Sequence, residues 1–304
     1  MTVFRMLALG LLWLAIAVPA TAQAPQPLAP QARIVVNHDS VGLFERIPPE
    51  YLDAARTLSM FYTDRSVGDN LSDGIDCMSV PMQSAPSHCK RWDHVVPAYQ
   101  IASEPWSGSY PRPSDWRFIS GCTDVDCTIS QQALLGYDIF GYFPSYLDGQ
   151  QLTVPELERL YQARGDATLL AWTTSLARAS EDNLRVVNEQ IRDWASRHDL
   201  PLLDAADILS HRPDGTQCYD NRDGVAYYAY DSQQENHPND GLNTPAICQE
   251  YTTEADGGHL GSVSQGKIRL AKAVWVMMAQ LAGWDPAAPQ PIGDERSHLP
   301  LLLR

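Results

Sequence analysis

Apolar positions along the chain follow two rhythms. In residues 264–281 they recur at Ile268, Ala271, Val274, Trp275, Met278 and Leu281, the spacing of a helix that buries one face. Residues 181–198 carry a stronger stripe, with Leu184, Val187, Ile191 and Trp194 on one side. Helices are also predicted at 154–164 and just after Ile47, where Pro48-Pro49 is tolerated in a first turn. Short apolar runs at 57–62, 116–120, 137–143, 168–172 and 200–203 predict buried strands. Residues 67–75 read as a helix that starts just past the first of these strands. Strand alternating with helix predicts an α/β fold: a three-layer sandwich with a mostly parallel central sheet covered on both faces.

The ends of the chain read differently. Arg5 precedes an apolar run at 6–18, and Pro19-Ala20-Thr21-Ala22 follows, so residues 1–22 read as a secretory signal peptide cut after Ala22. The run is short for a membrane span, and no Cys follows the cut to accept a lipid anchor. An exported protein, secreted or periplasmic, without a membrane span is expected. Residues 23–40 read as a flexible lead, 41–284 as one domain and 285–304 as a Pro-rich tail. Within the domain, 76–115 is rich in Pro, Ser and Cys and reads as a loop insertion. Residues 211–251 read as a polar, aromatic loop.

Six cysteines suit an oxidising compartment. They fall into three close pairs, Cys77 with Cys89, Cys122 with Cys127, and Cys218 with Cys248. Fifteen connectivities are open, and pairing of neighbours is the simplest because short loops close most easily. The spacings do not repeat a zinc-binding Cys-x-x-Cys pattern, and no metal or cofactor is expected. The formal net charge of −15 argues against nucleic acid as a partner.

The chemistry-bearing stretch is Asp256-Gly257-Gly258-His259. Glycines permit a tight turn, so Asp256 can accept a hydrogen bond from one ring nitrogen of His259 and leave the other as a general base. Such a base needs a nucleophile. Ser66 stands between a predicted strand and a predicted helix, at the carboxyl edge of the sheet, where α/β proteins place their chemistry. Its bland alternative is a helix cap. Asn70, one helical turn on, reaches either the site or solvent, and Gly68 leaves room for a substrate. Gly121 is a candidate oxyanion donor or a plain turn glycine. Ser40, in His38-Asp39-Ser40-Val41-Gly42, repeats the Ser-Val-Gly of Ser66 but lacks the strand-to-helix context. Asp220-Asn221-Arg222-Asp223-Gly224 lacks the later Glu of a calcium loop and reads as a turn.

The order of these motifs resembles the SGNH, or GDSL-like, serine hydrolase superfamily. Ser66-Val67-Gly68-Asp69-Asn70 looks like a divergent Ser-Val-Gly-x-Asn branch, and Asp256–His259 precedes the last helix as the family's dyad does. Thr173-Thr174-Ser175-Leu176 and Val187-Asn188-Glu189-Gln190-Ile191-Arg192, before a Leu-Leu-Asp strand, are similar too. The resemblance implies a flavodoxin-like sandwich and a secreted esterase using Ser66, His259 and Asp256. Its expected substrate is a small-molecule or carbohydrate ester, an acetyl or short acyl group first. Two departures stand out. Arg65 separates Asp64 from Ser66, and Gly141-Tyr142-Phe143-Pro144-Ser145 carries no Asn where the family has an oxyanion donor. That second departure keeps a different class in view, a non-catalytic binding module on the same fold.

Overall fold

A computed structural model describes residues 33–64, 67–89, 105–122, 124–143, 153–173, 182–219, 226–228, 234–236, 245–251, 260 and 264–288. The strands β1 (Val35–Val36), β2 (Met60–Asp64), β3 (Trp116–Ser120), β4 (Ile139–Phe143), β5 (Thr168–Trp172) and β6 (Leu202–Leu203) form one sheet. Its order is β1-β6-β5-β4-β2-β3, and every neighbouring pair is parallel. Parallel neighbours require crossovers, and helices supply them on both faces. The helices are α1 (His38–Val41), α2 (Pro49–Thr57), α3 (Val67–Cys77), α4 (Val125–Leu135), α5 (Val154–Ala163), α6 (Asp182–Arg197), α7 (Ala205–Ser210) and α8 (Ser264–Leu281). The fold is a flavodoxin-like three-layer sandwich, as the alternation of elements predicts.

Alternation along β2 divides the interior into two cores. Met60 and Tyr62 face one side, where Leu71 and Ile75 of α3 pack with Ile268, Val274 and Trp275 of α8. Phe61 faces the other side, with Phe140, Leu169, Leu157 of α5, and Ile191 and Trp194 of α6. The stripe of α8 is deeper than periodicity alone requires, because Ala273, Val276 and Met277 are buried as well. This helix lies across α3, α2, α1 and α7, so its surroundings are apolar on more than one side.

Several boundaries move. The first strand starts at Met60 rather than at 57, because Thr57 is the last residue of α2 and its hydroxyl donates to Ala54 O at 2.7 Å. The strand expected over 137–143 starts at Ile139. Asp138 instead accepts from Ser59 N at 2.9 Å and Ser59 Oγ at 2.7 Å, and these bonds hold its carboxyl below the usual range. The strand expected over 200–203 is only Leu202–Leu203. The expected lead at 23–40 is corrected at its end: Val35 and Val36 pair with Leu202 and Leu203, and α1 follows. Ordered structure therefore begins before residue 41. Helices α4 and α7 were not anticipated. Nor was the antiparallel pair β7 (Ala226–Tyr228) and β8 (Gln234–Asn236), which stands in the region read as a loop. All three disulfides join neighbours in sequence: Cys77–Cys89, Cys122–Cys127 and Cys218–Cys248.

Helices α3 and α8 touch backbone to backbone. A Cβ on Gly74 would lie 2.3 Å from Lys267 O, so no side chain fits there without separating the helices. Gly74→Val should lower unfolding stability by about 1–3 kcal/mol, the usual cost of overpacking. Gly42, with φ of −65° and its nearest neighbour 4.0 Å away, is the control. Gly42→Ala should stay within about 0.5 kcal/mol of the parent in urea titrations.

Candidate functional site

The sheet has its topological switch at β2. The chain leaves β2 for β3 on one side and later returns to β4 on the other. In folds of this kind ligands bind at the carboxyl ends of the strands that flank such a switch, here β2 and β4. Asp64, the last residue of β2, is in register with Ser120 of β3 and Phe143 of β4. Helix α3 starts at Val67. Positions 65 and 66 therefore connect β2 to α3 at the switch point. Ser66 itself lies outside the described residues, as do Asp256 and His259.

Residues close to them in sequence are described. Leu260, the residue after His259, is fully buried and donates its backbone N–H to Asn70 Oδ1 at 2.9 Å. Asn70 sits in the first turn of α3, four positions after Ser66. This bond spans 190 residues of sequence and joins the two candidate motifs. Asn70 thus binds a backbone group of the chain through its side-chain oxygen. Tyr251, five residues before Asp256, is anchored as well. Tyr251 is buried, its hydroxyl donates to His211 O at 3.0 Å, and its N–H donates to Cys248 O at 2.9 Å. Cys248 is tied to Cys218. Gly266 in the first turn of α8 accommodates both ends: a Cβ there would lie 2.6 Å from Tyr251 O and 3.2 Å from Leu260 Cδ2. Residues 252–259 are thus bracketed by two buried anchors packed on one helix start.

The other candidate positions divide. Gly68 is buried in the first turn of α3. Gly121 follows β3 directly, beside the end of β2, and takes φ of +96°, a conformation that favours glycine. It is exposed, and its neighbour Cys122 is bonded to Cys127. Ser40 is a capping residue. Its hydroxyl donates to Asn37 Oδ1 at 2.9 Å and accepts from Asn37 N at 3.2 Å. The segments at 173–176 and 187–192 contribute one shared network. Arg192 grips Asp204 with two bonds, of 2.6 and 2.8 Å. Thr173 Oγ1 donates to Asp204 Oδ1 at 3.0 Å and accepts from Ala206 N at 2.9 Å. Burial works against the Arg192 cation, but the paired carboxylate outweighs it and raises the guanidinium pKa. This network fixes the carboxyl ends of β5 and β6, and its residues were legible only as a resemblance.

A groove of about 470 Å³ runs along the edge strand β3, lined by Asp76, Arg112, Trp116 and Phe118 among others. Burial raises the pKa of Asp76, against the pull of Arg112, which binds it at 3.0 Å. The groove takes in residues 116–119 of β3 and Asp76 near the C-terminal end of α3. Searches of protein families, of curated proteins and of solved structures find no match to this chain.

The Asn70–Leu260 bond has a direct readout. Asn70→Ala removes the acceptor from a buried N–H, a loss worth about 1–3 kcal/mol locally, so amide exchange at Leu260 should accelerate roughly 10- to 100-fold. Asn70→Asp keeps an acceptor oxygen and should exchange at close to the parent rate. Unchanged exchange in Asn70→Ala, measured by NMR or by fragment-resolved mass spectrometry, would remove the bond from the account.

Proposed function

We propose that the protein is an exported serine hydrolase of SGNH type that cleaves an ester through Ser66, His259 and Asp256. The observation that carries this reading is the hydrogen bond from Leu260 N to Asn70 Oδ1, which ties the residue after His259 to the helix that begins after Ser66. In the proposed reaction His259 takes the proton from Ser66 Oγ as that oxygen attacks the ester carbonyl. The carbon–oxygen bond to the alcohol then breaks, and His259 returns the proton to the departing alkoxide. Water, deprotonated by the same imidazole, releases the acid and frees Ser66. Asp256 orients the ring and stabilises its cationic form. Helix α3 begins at the next residue, so its first-turn N–H groups and its dipole favour the oxyanion. Gly121, beside the end of β2, is the candidate for a second donor. The three disulfides are compatible with export. An acetyl or short acyl ester of a carbohydrate is the first substrate class to test.

A fluorophosphonate probe should label the mature protein on Ser66, and Ser66→Ala should abolish both labelling and ester hydrolysis while keeping the thermal transition. Labelling at another serine would reject the nucleophile. No labelling at all would favour a binding module on the same fold. Hydrolysis of an aryl ester should rise with pH through the titration of an imidazole, at about 6.5 for an unperturbed one, because only the neutral base accepts the serine proton. His259→Ala should lose nearly all turnover and Asp256→Asn somewhat less. A flat pH profile with an unaffected His259→Ala would reject the dyad.

A further inference from the structure

At the opposite edge of the sheet from β3, a second cluster of ligating side chains has no part in the proposed reaction. Strand β1 pairs with β6, Val36 opposite Leu203, so the helices that follow them start side by side. His38 opens α1, Asp207 lies in the first turn of α7, and His211 follows α7 one turn later. His38 Nδ1 is 2.6 Å from Asp207 Oδ2, and His211 Nδ1 is 3.3 Å from Asp207 Oδ1. The two imidazoles stack, with centroids 4.0 Å apart and planes 11° from parallel. One donor atom from each of the three residues lies within 4.8 Å of the others.

We propose that His38, Asp207 and His211 form a binding site for a first-row divalent metal ion, with zinc as the first choice. Imidazole nitrogen and carboxylate oxygen form a donor set that zinc accepts, and histidine ligands usually hold their second nitrogen against a carboxylate or a carbonyl. Both histidines have such an outer partner. His38 Nε2 is 3.2 Å from Asp39 Oδ1, which leaves Nδ1 for the metal. His211 Nδ1 is 2.8 Å from Asp207 O, a carbonyl, which leaves Nε2. Two carboxylates, Asp39 and Asp207, favour a cation here.

A purely structural clamp between α1 and α7 is the competing account. The clamp needs only His38, whose backbone N–H and Nδ1 both meet Asp207 Oδ2. The clamp also accounts for His211 Nδ1, which meets Asp207 O and lies near Asp207 Oδ1, but assigns no role to the second imidazole's Nε2. Tetrahedral zinc holds its donors about 3.3 Å apart, so the rings must turn inward and out of their stack to bind. Side-chain exposures of 20%, 21% and 13% for His38, Asp207 and His211 leave room for that rotation and for entry of the ion.

Titration of zinc chloride into the chelator-treated, disulfide-intact mature protein, followed by calorimetry, should show one saturable site. His38→Gln and His211→Ala should each weaken it roughly 10- to 100-fold. His259→Ala should leave it unchanged, which separates this site from the proposed catalytic one. Footprinting with diethyl pyrocarbonate needs no variant. Zinc should protect His38 and His211 of the wild type and leave His198 at its unprotected rate. Absence of saturable binding, binding that survives in the double variant His38→Gln with His211→Ala, or no protection of His38 and His211 would each overturn the proposal.

Discussion

Helices α3 and α8 pack so closely at Gly74 that a single Cβ would collide with the backbone of Lys267. The position of the α3 start relative to Leu260 depends on that contact. It brings the first turn of α3 and Leu260, four residues before the start of α8, within reach of one hydrogen bond, from Leu260 N to Asn70 Oδ1. Two stretches of sequence almost as far apart as the domain allows become neighbours at the switch point. Tyr251 and Leu260, on either side of residues 252–259 in sequence, are both buried against Gly266.

A second constraint holds the far side of the edge. Asp204 is buried, and an unpaired buried carboxylate would be costly. Arg192 from α6 and Thr173 from the end of β5 satisfy it, and Thr173 also receives the N–H of Ala206. One network thereby joins α6, β5 and the start of α7. It fixes where β6 ends, and so where α7 projects Asp207 and His211 toward His38 on α1. The cluster of His38, Asp207 and His211 and the carboxyl end of β2 lie at the same end of the sheet, separated by the strands between β2 and β6.

Much of this was legible in the sequence wherever burial imposes a period. Helix α8 matches its predicted span, β3 and β5 match theirs, and α6 differs by one residue at each end. Helix α4 escaped because its apolar residues do not form a stripe: Leu134 and Leu135 are exposed, while Thr128 and Gln132 are buried. Its cap signals, Asp124 before it and Gly136 after it at φ of +63°, were present but stand alone without periodicity. Strand β1 has two residues, too few to show alternation, and only its pairing with β6 defines it. The cluster of His38, Asp207 and His211 was invisible for another reason. His38 and Asp207 are separated by 169 positions, and only the β1–β6 pairing brings them together. Asn70 was ambiguous for the same reason, since its partner is a backbone group near the other end of the chain.

A crystal structure of the protein after reaction with a fluorophosphonate tests the central claim most directly. The account predicts phosphorus bonded to Ser66 Oγ, a ring nitrogen of His259 within hydrogen-bond reach of that oxygen, and Asn70 Oδ1 still bound to Leu260 N. An adduct on any other residue, or a His259 ring turned away from Ser66 with Asp256 unpaired, would contradict it.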